Sequence, residues 1–158
     1  MQVEHLMTKQ VRSCSPADTL ERAAQLMWDG DCGCLPVCEG NGINRVVGVI
    51  TDRDICMAAL FQGKSLHDLP VSGAMTQKPW TCKAGDAVGG AEKTMREARI
   101  RRLPVVDTRG ALIGIIALAD LAREAARERG SVKQDVTESE VGDTLAAICE
   151  LAGQRLHA

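Results

Sequence analysis

Thr51 and Asp54 have the residue types and spacing for chemistry. They close the stretch Gly48-Val49-Ile50-Thr51-Asp52-Arg53-Asp54. The β-branched run Val46, Val47, Val49 and Ile50 predicts a buried strand. Thr51 stands where a helix N-cap belongs, and Asp54, three residues on, completes a capping box in its Asp version. Two readings stand side by side. In one, the pair starts a helix and nothing more. In the other, a strand-to-helix turn presents backbone N–H groups, a hydroxyl and a carboxylate at one sheet edge, a set suited to a ribose diol and a phosphate.

The other reactive residue types support less. The chain has seven cysteines, an odd number, so a disulfide framework is not expected. Cys32, Cys34 and Cys38 cluster in sequence but lack C-x-x-C spacing and a nearby His, so no metal site is expected. Cys34 and Cys38 flank Leu35-Pro36-Val37, and free cysteines often serve as small buried apolar residues. His5, His67 and His157 fall in a terminus, a linker and a tail, where none can activate a Ser or Cys nucleophile. The chain is therefore read as a non-enzyme, with no catalytic residues.

The elements that must position the turn come from a repeat. Displaced by 68 positions, Met7-Thr8 falls on Met75-Thr76, Cys14 on Cys82, Asp18 on Asp86 and Met27 on Met95. Leu35-Pro36-Val37 falls on Leu103-Pro104-Val105. Beyond that point the second copy is two residues shorter; Gly48-Val49-Ile50 then matches Gly114-Ile115-Ile116, and Asp54 matches Asp120. Several anchors in one register mark two copies of one supersecondary unit.

In the first copy, Leu6-Met7-Thr8 is read as the opening and 11–14 as a short extended segment. Asp18 with Glu21 is read as the capping pair of a helix whose inner face is Leu20, Ala23, Ala24, Met27 and Trp28. Gly30 and Gly33 end it. Strands follow over 35–38 and 45–50, joined by a turn at Glu39-Gly40-Asn41-Gly42, and a helix runs over about 52–61. Residues 62–72 form the linker. The second copy begins at Ala74, with a short strand over 80–83, a helix over about 87–98, a hairpin over 103–116 and a helix over about 118–129. Gly89-Gly90 weakens the first of these helices. After a polar break, Thr137 and Glu140 form another capping box. Val141, Leu145, Ile148, Ala152 and Leu156 recur at helical spacing, predicting an amphipathic tail helix over about 139–154 that docks on its own module or a second subunit.

Each copy thus reads Met-Thr, an extended segment, an amphipathic helix, Leu-Pro-Val, then Gly and two aliphatics before an acid. This resembles the CBS domain, and two in tandem resemble a Bateman module; the resemblance covers about 6–126. The expected fold is α/β: two pseudo-symmetric β-α-β-β-α repeats, 6–62 and 74–129, packed through their sheets, with a C-terminal segment over 130–158.

The resemblance implies an adenine nucleotide in clefts that draw on both repeats. One set of residues would be Val49, Thr51 and Asp54 with Trp80, Arg101 and Arg102: Thr and Asp for ribose, Trp for the base, and Arg for phosphates, which guanidinium groups bind bidentately. The second set would be Asp120 with Arg12. There Ala117 replaces the Thr, and Gly33 and Cys34 replace the two Arg, so it lacks hydroxyl and phosphate donors. The other reading of Arg101 and Arg102 is a solvated basic run with Arg96 and Arg99. Candidate ligands are AMP, ADP and ATP, or larger adenosyl compounds such as NAD and S-adenosylmethionine.

Composition bounds the rest. Aromatic residues are Trp28, Trp80 and Phe61 alone, so the core must be aliphatic. A net charge of −2 argues against nucleic-acid and membrane partners. No apolar run spans a bilayer, the N-terminus does not read as a signal peptide, and a cytoplasmic location is expected. The expected function is an adenylate sensor acting through an unknown effector protein or its own oligomer, expected to be a homodimer. The alternative is a structural or interaction module with empty clefts.

Overall fold

The computed structural model describes residues 1–40 and 42–150. Asn41, in the first turn, and Ala152, Gln154, Leu156 and His157 of the tail lie outside the described residues. The chain divides into two compact units: one of residues 10–79 and 106–113, the other of residues 1–9, 80–105 and the chain from Gly114 onward. The described residues hold five α-helices and two three-stranded sheets.

The first unit begins its regular structure at α1 (Leu20–Asp29). Its N-cap is Thr19, whose hydroxyl accepts from Arg22 N–H at 3.1 Å. The sequence expectation of Asp18 with Glu21 is corrected here. The Asp18 carboxylate instead accepts from Ser15 N–H at 2.7 Å, closing the preceding turn one residue too early to cap the helix. Strand β1 (Cys34–Glu39) pairs antiparallel with β2 (Arg45–Thr51), setting Leu35 opposite Ile50 and Val37 opposite Gly48, with a bulge after Val37. Helix α2 (Asp52–Gln62) follows without a loop. Leu20, Ala23, Met27, Leu35, Val37, Ile50 and Ile55 form the core with Cys14, Leu69 and Val71. Trp28, expected on the inner face of α1, is instead 84% exposed. The linker is not featureless: it holds two short 3-10 turns, Leu66–Asp68 and Val71–Gly73, and buries Leu69 and Val71.

The second unit repeats the plan. Strand β4 (Cys82–Lys83) is shorter than expected, since Trp80 and Thr81 stay outside it. Helix α3 (Val88–Ala98) buries Val88, Ala91 and Met95. Strands β5 (Arg102–Val106) and β6 (Leu112–Ala117) complete the sheet, in the order β4-β5-β6, and α4 (Leu118–Arg127) follows directly. The tail helix α5 (Glu138–Cys149) starts on the Thr137–Glu140 capping box and packs on α3 and α4.

The Met-Thr pairs are exchanged relative to their place in sequence. Met7-Thr8, read as the opening of the first copy, is held in the second unit: Thr8 and Ile115 exchange backbone hydrogen bonds of 2.9 and 3.0 Å. Met75-Thr76 is held in the first, where β3 (Thr76–Gln77) pairs with β2, Val49 opposite Thr76. The glycines permit this. At Gly48 and Gly114 a Cβ would fall 2.7 Å from the Sδ of Met75 and Met7 respectively, so only a residue without one lets the methionine close on the strand.

Candidate ligand-binding site

The turn from β2 into α2 is built by reciprocal hydrogen bonds. Thr51 Oγ1 accepts from Asp54 N–H at 3.2 Å, and Asp54 Oδ2 accepts from Thr51 N–H at 2.9 Å and from the Thr51 hydroxyl at 2.7 Å. The side chain that caps the helix is thereby fixed, and both residues remain half-exposed. All of these bonds use Oδ2. Among the described residues Oδ1 of Asp54 has no hydrogen-bond partner. The turn therefore offers one oriented carboxylate oxygen to a ligand hydroxyl.

The equivalent turn from β6 into α4 is built differently. Asp120 Oδ2 accepts from Ala117 N–H at 2.7 Å, while Oδ1 is held by the Arg123 guanidinium. Asp120 is buried, its position has no hydroxyl neighbour, and both carboxylate oxygens are engaged. The Arg123 contact went unread in the sequence, although its i, i+3 spacing from Asp120 is the kind that pairs on a helix.

The positions before the two Leu-Pro-Val segments also differ. Gly33 leaves room for Asp52, whose Oδ2 lies 2.7 Å from where a Cβ would be. The matching pair in the second copy is Arg101 and Leu118, and there Leu118 N–H donates to Arg101 O at 2.9 Å. Arg101 and Arg102 are exposed and stand at the rim of a pocket of about 320 Å³. Its walls are Ala117, Leu118, Ala119 and Ala122, with Val141 and Leu145 from α5. Trp80 is 62% exposed. Arg12 is exposed and runs beside Gly30.

Of the residues singled out in the sequence, Val49, Thr51, Asp54 and Arg12 lie in the first unit, and Trp80, Arg101, Arg102 and Asp120 in the second. Thr51 and Asp54 are in direct contact, and Arg101 and Arg102 share one pocket. The tail's contribution was not read from the sequence: Arg99 pairs with Glu150, and Arg101 reaches Cys149.

The cysteines form no disulfide, and no group of three or more metal-ligating side chains occurs among the described residues. Burial pushes the Cys14 and Cys82 thiols up to about 12, with Asp18 and Asp86 adding to the effect in turn. Both thiols stay protonated and act as apolar filling. His67 Nδ1 lies 3.2 Å from an exposed Glu21 carboxylate, a surface contact. Among the described residues no helix is long and apolar enough to cross a membrane.

A CBS domain family model matches the chain twice, at residues 3–60 and 70–127. The chain belongs to the CBS domain family and is a tandem CBS-domain protein. It is 38% identical over 120 residues to the CBS domain-containing protein YhcV of Bacillus subtilis, covering 76% of this chain and 82% of that one. Among solved structures, it resembles CBSX2 in complex with AMP, with a TM-score of 0.68, 26% identity, and coverage of 81% of this chain and 98% of that one. It likewise resembles the CBS domain pair of MJ0100 in complex with 5'-methylthioadenosine and S-adenosyl-L-methionine, with a TM-score of 0.68, 25% identity and coverage of 78% and 98%.

Proposed function

We propose that this chain is a regulatory module that binds an adenosyl ligand and has no catalytic activity of its own. The observation that carries the reading is the Asp54 carboxylate, with Oδ2 fixed by Thr51 and Oδ1 left for a ligand. A carboxylate held in this way can accept from a ribose hydroxyl without first reorganising, and such charge-assisted bonds contribute about 1.5–3 kcal/mol each. Two similar structures hold AMP or sulfonium and thioether adenosyl compounds, which share the adenine base and the ribose diol.

The roles follow from residue chemistry. Thr51 and Asp54, with Val49 beside them, take the ribose; Trp80 offers its indole face to the base; Arg101 and Arg102 take phosphates. Asp120 with Arg12 forms a lesser second set. The ligands considered are AMP, ADP, ATP, NAD and S-adenosylmethionine.

The module acts on an effector protein or through its own dimer. The homodimer reading rests on large apolar side chains of the first unit, where Trp28, Leu60 and Phe61 are 84%, 69% and 79% exposed. Exposed apolar groups of this size favour burial in a contact surface.

Calorimetric titration with adenosine, AMP and ATP tests the reading. Wild-type protein should bind all three. Arg102→Ala should weaken AMP and ATP and leave adenosine nearly unchanged, because its role is confined to phosphate. If no adenylate gives heat or a thermal shift, the alternative of a ligand-free interaction module takes its place.

A further inference from the structure

The tail helix α5 docks beside the arginines assigned above to phosphate. Val141 and Leu145 form one wall of the pocket that Arg101 and Arg102 rim. At its far end, Arg99 donates to the Glu150 carboxylate at 2.8 Å and Arg101 donates to Cys149 Sγ at 3.7 Å. In the middle, fully buried Thr144 donates to the buried Glu92 carboxylate at 2.7 Å.

The grip on the arginines is weak in kind. A thiol is a poor acceptor for a guanidinium, and Glu150 is largely exposed, so its pair with Arg99 is screened. Leu145 leaves nearly half its surface in solvent. A phosphate group offers the Arg101 guanidinium short bidentate bonds. The first copy carries Gly33 and Cys34 at these positions, so the arrangement is particular to the second.

We infer that α5 is a displaceable competitor for the Arg101 guanidinium: docking of the tail weakens binding of an anionic ligand at Arg101 and Arg102, and that ligand loosens the tail. The inference rests on the phosphate role proposed above. Linkage makes the two effects equal, since the factor by which the docked tail weakens the ligand is the factor by which the ligand weakens the tail. Loosening α5 uncovers the faces of α3 and α4 that it now covers, which turns ligand occupancy into a change of surface.

The test uses the full chain. Hydrogen exchange is followed at the amides of 138–149 without ligand, with saturating adenosine and with saturating ATP. ATP should speed exchange about fivefold or more, and adenosine should not. In parallel, calorimetry compares wild type with Thr144→Val, which leaves Glu92 without its partner and loosens the tail. The variant should bind ATP more tightly by a similar factor and bind adenosine as before. If ATP binds but leaves tail exchange unchanged or slows it, or if Thr144→Val leaves ATP affinity unchanged or weakens it, the competition is overturned and the adenylate reading stands. Binding of ATP by the variant alone supports the competition. If neither protein binds ATP, AMP or adenosine, the adenylate reading fails and the competition falls with it.

Discussion

Gly114 lies against Met7, close enough that a Cβ would stand 2.7 Å from Met7 Sδ and 3.0 Å from Thr8 O. Gly48 meets Met75 and Thr76 at the same two distances. The methionine tip can move, but the carbonyl at Thr8 is held by Ile115 N–H. Gly114→Ala should therefore strain the pairing and destabilise the fold by about 1–3 kcal/mol, as overpacking does. Gly89→Ala is the contrast. A Cβ there meets nothing, and within α3 it should stabilise by about 0.5–1 kcal/mol. Urea denaturation should move the two midpoints in opposite directions.

The two aspartates should differ in ligand binding. Asp54→Ala removes an acceptor with one oxygen unengaged and should weaken adenylate binding by a factor on the order of ten to a hundred. Asp120→Ala removes a carboxylate already held by Ala117 N–H and Arg123, so its effect on affinity should be smaller. Calorimetry on both, side by side, decides. Equal losses, or a larger loss at Asp120, would overturn the assignment.

The buried thiols set an alkaline limit. In the folded chain Cys14 and Cys82 ionise near 12 rather than the ordinary 9.0. Unfolding exposes both, so above pH 9 the unfolded state releases protons that the folded state keeps. Stability from this source is intact below pH 9 and declines as the pH rises from about 9 toward 12. Urea midpoints at pH 7.5, 9 and about 10.5 should show the decline. In native protein near pH 8, exposed Cys56 and Cys149 should alkylate while Cys14 and Cys82 do not.

Self-association should depend on the outer face of α2. Its sequence from Ile55 to Phe61 is apolar at every position, yet only Ile55 is buried. Light scattering at micromolar concentration should give twice the chain mass of 16.9 kDa. Phe61→Glu should shift it toward the monomer without lowering the melting temperature of the monomer unit. A wild-type monomer would remove the prediction.

Local signals read correctly because they are local. The Thr51–Asp54 and Thr137–Glu140 boxes, the Leu-Pro-Val strands and the apolar face of α3 depend on residues within one or two turns of one another. Thr19 was overlooked as a cap because Asp18, a strong capping type, stands beside it and is engaged by Ser15 N–H. The start of α5 shifted by one residue because periodicity shows a face and not an end, and residues 151–154 of the expected helix lie outside the described residues. The partners of Arg101 and Asp120 divide along the same line. Arg123 lies one turn from Asp120, within reach of pattern reading, whereas Cys149 comes to Arg101 only through the docking of a helix far along the chain. The pairing of Met7-Thr8 with Ile115 carries no local mark, since both copies of the motif look alike to either strand.

The exchanged Met-Thr pairs separate the unit that was duplicated from the unit that folds. A ribosome makes Thr8 long before its backbone partner Ile115. Thr8 must wait for that pairing while the intervening chain is made, and long-range closures of this kind are slow. A polypeptide cut at Gly63 would carry in each half the edge segment belonging to the other. The two pieces should then fold poorly alone and complement each other when mixed. A circular permutant that opens the chain at Gly63 and joins the old ends would instead place Met75-Thr76 near the new beginning, with the same wait imposed on it.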